Sequence, residues 1–95
     1  QGDVSEWGAA RSIADAALER FGRIDLLVLN AGIWEGAPIE EMTEETWNRV
    51  MNTNLKAAWA MTKACVPAMK KQASGAIVLV SSTAGQRGEA NYSNY

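Results

Sequence analysis

Apolar residues recur at steps of three and four from Trp7 through Ala10, Ile13, Ala14, Ala17 and Leu18 to Phe21, while Arg11, Asp15 and Glu19 take the other side. That period predicts an amphipathic helix over residues 6–21. Ser5 suits its N-cap and Gly22 its C-terminal stop. "IDLLVL" (24–29) is an almost continuous apolar run. Such a run predicts a strand covered on both faces, as in a parallel sheet. "NAG" follows at once as a tight turn. Helical spacing resumes near Thr43 and lasts to about Lys71, with Trp47, Val50, Met51, Leu55, Ala58, Met61, Cys65 and Met69 as its apolar stripe. Pro67 predicts a bend or a local loss of hydrogen bonding in that helix. Ser74-Gly75 leads into "GAIVLVSS" (75–82), a second buried-type strand, and the small and polar residues after it predict a loop.

Helix, strand, helix and strand with short connections indicate an α/β doubly wound fold. Strand 24–29, helix 44–71 and strand 76–81 would form one right-handed βαβ crossover. Two strands of this kind cannot cover both faces and both edges alone. Residues 1–95, which begin on Gln1, are therefore expected to be the central part of one larger domain, truncated at both ends.

Composition narrows the function. The 95 residues are 47% hydrophobic with a net charge of -2, which gives no electrostatic footprint for nucleic acid. No apolar stretch is long enough for a membrane span. The single cysteine, Cys65, forbids an internal disulfide and fits a reducing, cytoplasmic setting. With no histidine, a Ser-His-Asp triad and a histidine metal site are excluded, and no metal is expected.

Ligands of open parallel sheets bind at the carboxyl ends of the strands. Both "NAG" and "SSTAG" fall on that edge. Asn30 offers amide donors and acceptors, and Ala31 and Gly32 let a ligand approach the backbone. A strand-to-helix turn chosen for conformation alone would use the same three residues. Asn54 falls inside the apolar stripe of the long helix, where a buried amide needs partners. It can bond backbone or hold a water. Ser82 can donate a hydrogen bond to a carbonyl oxygen. A tyrosine phenol, ordinarily of pKa about 10, becomes a usable acid or base beside a cation. Taken singly, Ser82 and Tyr95 also suit a surface loop.

Together, "GDV" (2–4), "IDLLVLNAGI" (24–33), "NTNL" (52–55), "GAIVLVSSTAG" (75–85) and Tyr95 resemble the short-chain dehydrogenase/reductase family in order and spacing. The resemblance covers essentially the whole chain. It implies a Rossmann-type sheet binding NAD or NADP, and hydride transfer to or from an alcohol or carbonyl substrate. By resemblance, Asp3 and Val4 contact the adenine, and Asn30, Ala31 and Gly32 lie along the cofactor. Asn54 holds a water in a proton relay, Ser82 binds the substrate oxygen, and Tyr95, thirteen residues after Ser82, is the acid/base. Tyr92, ten residues after Ser82, is too near and reads as a loop or pocket aromatic. Leu29 stands where many members carry an asparagine. The family's TGxxxGxG loop would precede Gln1, and its lysine, four residues past the tyrosine, would follow Tyr95. The 95-residue polypeptide by itself is thus expected to be inactive.

The resemblance also implies pairing of the long helix with its mate in a homodimer or homotetramer. Trp59, on the polar side, would anchor that interface or lie on lysine stems. Trp34, Glu35, Gln86, Arg87 and Glu89 could line a substrate pocket. A non-catalytic nucleotide-binding regulator is the alternative reading, although such a protein has no need of Asn54, Ser82 and Tyr95 together.

Overall fold

The computed structural model describes residues 2–95. Helix α1 spans Trp7–Phe21 and stops on Gly22, whose φ of 74° is left-handed and whose N–H bonds the Leu18 carbonyl at 2.8 Å. Glycine adopts that conformation without the penalty a Cβ brings. The expected Ser5 cap is not made. Ser5 donates its hydroxyl to Asp3 Oδ1 at 2.7 Å, so Glu6 occupies the N-cap position and offers no side-chain bond.

Strands β1 (Leu26–Leu29) and β2 (Ala76–Leu79) pair in parallel, Leu26 with Ala76 through Leu29 with Leu79. Bonds from Ala76 N–H to Asp25 and from Val80 N–H to Leu29, each 2.9 Å, extend the ladder at both ends. The crossover between them begins with α2 (Glu44–Met51), capped by Thr43, whose hydroxyl accepts the Thr46 N–H at 3.1 Å. It ends with α3 (Ala57–Gln72). Helix α3 runs through Pro67, which lacks only the N–H that would bond one turn back.

Between α2 and α3 lies a π turn, Asn52–Lys56, in which the Ala57 N–H reaches the Asn52 carbonyl five residues back. A π turn inserts an extra residue and rotates everything that follows. The buried stripe accordingly passes from Val50 to Ala57, Ala60, Met61, Cys65 and Met69, while Leu55 is 60% exposed. The expectation that Leu55 lies in the stripe fails for this reason.

The core joins Ala10 and Ala14 of α1, Leu27 of β1, and Ala60, Met61, Cys65 and Met69 of α3. Alanines at the helix contact let the two backbones approach closely. Both helices thus serve the sheet face that carries Leu27. On the opposite face Leu26 and Val28 are 57% and 54% exposed. The strands are therefore covered on one face only among the described residues, not on both. The order of elements is that of a partial Rossmann-type doubly wound sheet. A short helix, α4 (Thr83–Arg87), replaces the loop expected after β2, because Ser82 caps it by accepting the Ala84 N–H at 3.2 Å.

Candidate functional site

Where β1 and β2 end, the chain turns away and leaves a cleft of about 680 Å³. Asn30, Ala31, Gly32, Asn54, Ser82 and Tyr95 all line it. Trp34, Trp47 and Met51 form an apolar wall, and among the described residues no lysine, arginine, aspartate or glutamate borders the space.

Each polar group is positioned by a local device. The π turn presents Asn54 to the segment after β1. Its Oδ1 accepts the Ile33 N–H at 2.8 Å, and its Nδ2 donates to the Ile33 carbonyl at 3.0 Å. Both polar atoms of the Asn54 side chain thus bond backbone. Ser82 is oriented by accepting from Ala84, which leaves its own O–H free to donate into the cleft.

Tyr95 is 40% exposed and its ring meets Trp34 edge to face, centroids 4.3 Å apart at 70°. Tyr92 stacks on Trp34 from another side at 4.1 Å and 29°. Beside them, Arg49 holds the Glu35 carboxylate by bonds of 2.8 and 2.6 Å. That hydrogen bonding, with the guanidinium charge adding to it, lowers the Glu35 pKa below its ordinary 4.5. Buried Asn94 donates to the Glu35 carbonyl at 3.0 Å, and its Oδ1 is the one buried side-chain polar atom left without a partner among the described residues.

A model of the short chain dehydrogenase family matches residues 1–95. The chain belongs to that family. Its relatives include the 3-oxoacyl-(acyl-carrier-protein) reductase FabG of Thermotoga maritima, 40% identical over 93 residues, 98% of this chain and 38% of the relative. The acetoacetyl-CoA reductase of Cupriavidus necator is 33% identical over 95 residues, all of this chain and 39% of the relative. The sepiapterin reductase of Chlorobaculum tepidum is 36% identical over 85 residues, 90% of this chain and 35% of the relative. The short-chain dehydrogenase chain described here thus spans less than two-fifths of the length of these relatives.

Not every residue singled out in this short-chain dehydrogenase sequence reaches the cleft. Val4 borders a separate cavity of about 60 Å³ that shares Ala31 and Asn54 with the cleft. Asp3 borders neither: its carboxylate accepts the Ser5 hydroxyl and N–H, bonds that lower its pKa. Gln86 and Arg87 on α4, and Glu89 just after it, are exposed and do not line the cleft. Glu35 is tied to Arg49 instead of facing a ligand. Trp59 is 53% exposed, with the Lys63 ammonium 4.9 Å from its ring centroid and 4.8 Å from that of Trp7. Asn94 was legible only as a polar residue beside Tyr95. Gln72 gave no signal at all, yet its amide bonds the Ile24 N–H at 3.0 Å and the Ile24 carbonyl at 2.9 Å, ahead of β1.

Proposed function

We propose that this chain is the central part of an oxidoreductase that interconverts an alcohol and a carbonyl with NAD or NADP. The observation that carries the reading is the meeting of Ser82 and Tyr95 on one cleft at the carboxyl ends of the strands. When bound, the dinucleotide supplies or accepts the hydride.

The residues present fit such a group. Asn30, Ala31 and Gly32 offer exposed backbone with little side chain along the cleft, so a flat ligand can approach, and Val4 with Asp3 would lie toward its adenine end. The Ser82 hydroxyl, steadied by Ala84, donates to the substrate oxygen. The Tyr95 phenol gives its proton to the same oxygen as negative charge develops, and takes it back in the reverse direction. Asn54 holds the turn that carries the cofactor edge and, by resemblance, a relay water.

The names of the relatives put 3-oxoacyl thioesters first among substrates to try. A lone buried thiol, Cys65, agrees with a cytoplasmic setting. Half-exposed Trp59, on a face of α3 with Val66 and Pro67, supports assembly into a homodimer or homotetramer. If Trp59→Ala leaves the solution mass unchanged, Lys63 and Trp7 are its only partners and the interface role is lost.

The deciding experiment uses the product of the whole reading frame that encodes these residues. Turnover of an acetoacetyl thioester with NADH or NADPH, lost by about 100-fold or more in Tyr95→Phe, supports the reading. Nucleotide binding without turnover of any carbonyl would move the non-catalytic regulator ahead.

A further inference from the structure

Residues 34–36 and 91–95 grip one another more tightly than a loop beside an open cleft requires. Trp34 lies between two tyrosine rings, stacked on Tyr92 and edge to face with Tyr95. Glu35 is anchored twice, by the two-bond contact of its carboxylate with Arg49 on α2 and by the Asn94 bond to its carbonyl. Gly36 completes the grip. A Cβ there would run into the Asn91 carbonyl oxygen and come within 2.6 Å of the Tyr92 ring, so no larger residue fits without moving the 91–95 segment.

We propose that Trp34 is a positioning residue that sets the place of the Tyr95 phenol at the reacting oxygen. This rests on the reading of Tyr95 as the acid/base. Proton transfer needs heavy atoms within about 2.6–3.2 Å, and a displacement of about 1 Å can cost as much as 100-fold in rate. The Tyr95 N–H bonds the Tyr92 carbonyl at 3.1 Å and the Tyr92 N–H bonds the Glu89 carbonyl at 3.2 Å, so both rings that meet Trp34 stand on one turn of chain. The indole is the rigid surface against its ring. An aromatic pair of this geometry resists both sliding and rotation, because the ring quadrupole favours offset and edge-to-face contact. Trp34 is itself stiffened by Tyr92 and by the anchored Glu35. The restraint therefore passes from α2, through Arg49 and Glu35, to the phenol.

The test uses the product of the complete reading frame and the variants Trp34→Ala, Trp34→Phe, Tyr92→Leu and Tyr95→Phe. Trp34→Ala is expected to lower kcat about tenfold with KM for both substrates within about twofold, and Trp34→Phe to restore most of the loss. A raised KM at unchanged kcat would make Trp34 a substrate wall and overturn the inference. Should Trp34→Ala not fold, Tyr92→Leu removes the stack alone and is expected to lower kcat about threefold, with an unchanged kcat again overturning it. Activity retained in Tyr95→Phe would instead overturn the acid/base reading. A readout independent of turnover is the 19F resonance of Tyr95 in fluorotyrosine-labelled protein, assigned by its loss in Tyr95→Phe. It is expected to move to the free-tyrosine position in Trp34→Ala, and an unmoved resonance refutes the contact.

Discussion

Asn54 and Ile33 exchange two hydrogen bonds across 21 residues of sequence, side-chain oxygen to N–H and side-chain nitrogen to carbonyl. Gln72 does the same with Ile24 across 48 residues. One crossover thus grips the chain before and after β1 with two amides. An amide suits the task because it alone among uncharged side chains offers a donor and an acceptor side by side.

Replacing either amide by alanine leaves an N–H and a carbonyl partly buried without their partners. Asn54→Ala and Gln72→Ala are each expected to lower the unfolding free energy by about 1–2 kcal/mol, read from urea midpoints. Only Asn54 borders the cleft, so Gln72→Ala should leave the steady-state constants unaltered while Asn54→Ala lowers turnover.

Gly36→Ala should be destabilising by about 1–3 kcal/mol, since the added methyl meets Asn91 and Tyr92 and the two segments must part. A thermal midpoint equal to that of the parent would mean that these segments lie farther apart than described.

Acid should loosen the same grip. Arg49 holds the Glu35 pKa below 4.5, so the folded form binds fewer protons there than the unfolded chain. The stabilisation is then complete above pH 4.5 and is lost as pH falls through the lowered value. The difference in fluorescence between parent and Trp34→Phe should change on acidification below that point, and Glu35→Gln should remove the change.

Cys65 is 2% exposed, and burial raises its thiol pKa above 9.0. A neutral, enclosed thiol is a poor nucleophile. An aromatic disulfide reagent at neutral pH should therefore label Cys65 only after denaturant is added; stoichiometric labelling of the folded protein would contradict its burial.

The elements themselves were legible because their causes are local. Apolar spacing and a left-handed Gly22 define α1 within its own residues, and two short apolar runs followed by "NAG" and "SS" mark the strand ends and the edge that carries the cleft. The thirteen-residue interval from Ser82 to Tyr95 carries meaning only through the family resemblance. Tertiary structure decided what depends on distant partners. A uniform helical period cannot foresee an extra residue in the turn Asn52–Lys56, which carries Leu55 outward and aims Asn54 at Ile33. Tyr92, legible as a loop or pocket aromatic, gains its stacking partner Trp34 only when the chain folds. Glu35 and Asn94 lie 59 residues apart in sequence, and their bond exists only because the sheet brings the two strand ends side by side. Periodicity records which face of an element is apolar; which neighbour meets that face is settled by packing, where each side chain competes for space and for hydrogen bonds with residues it never sees along the chain.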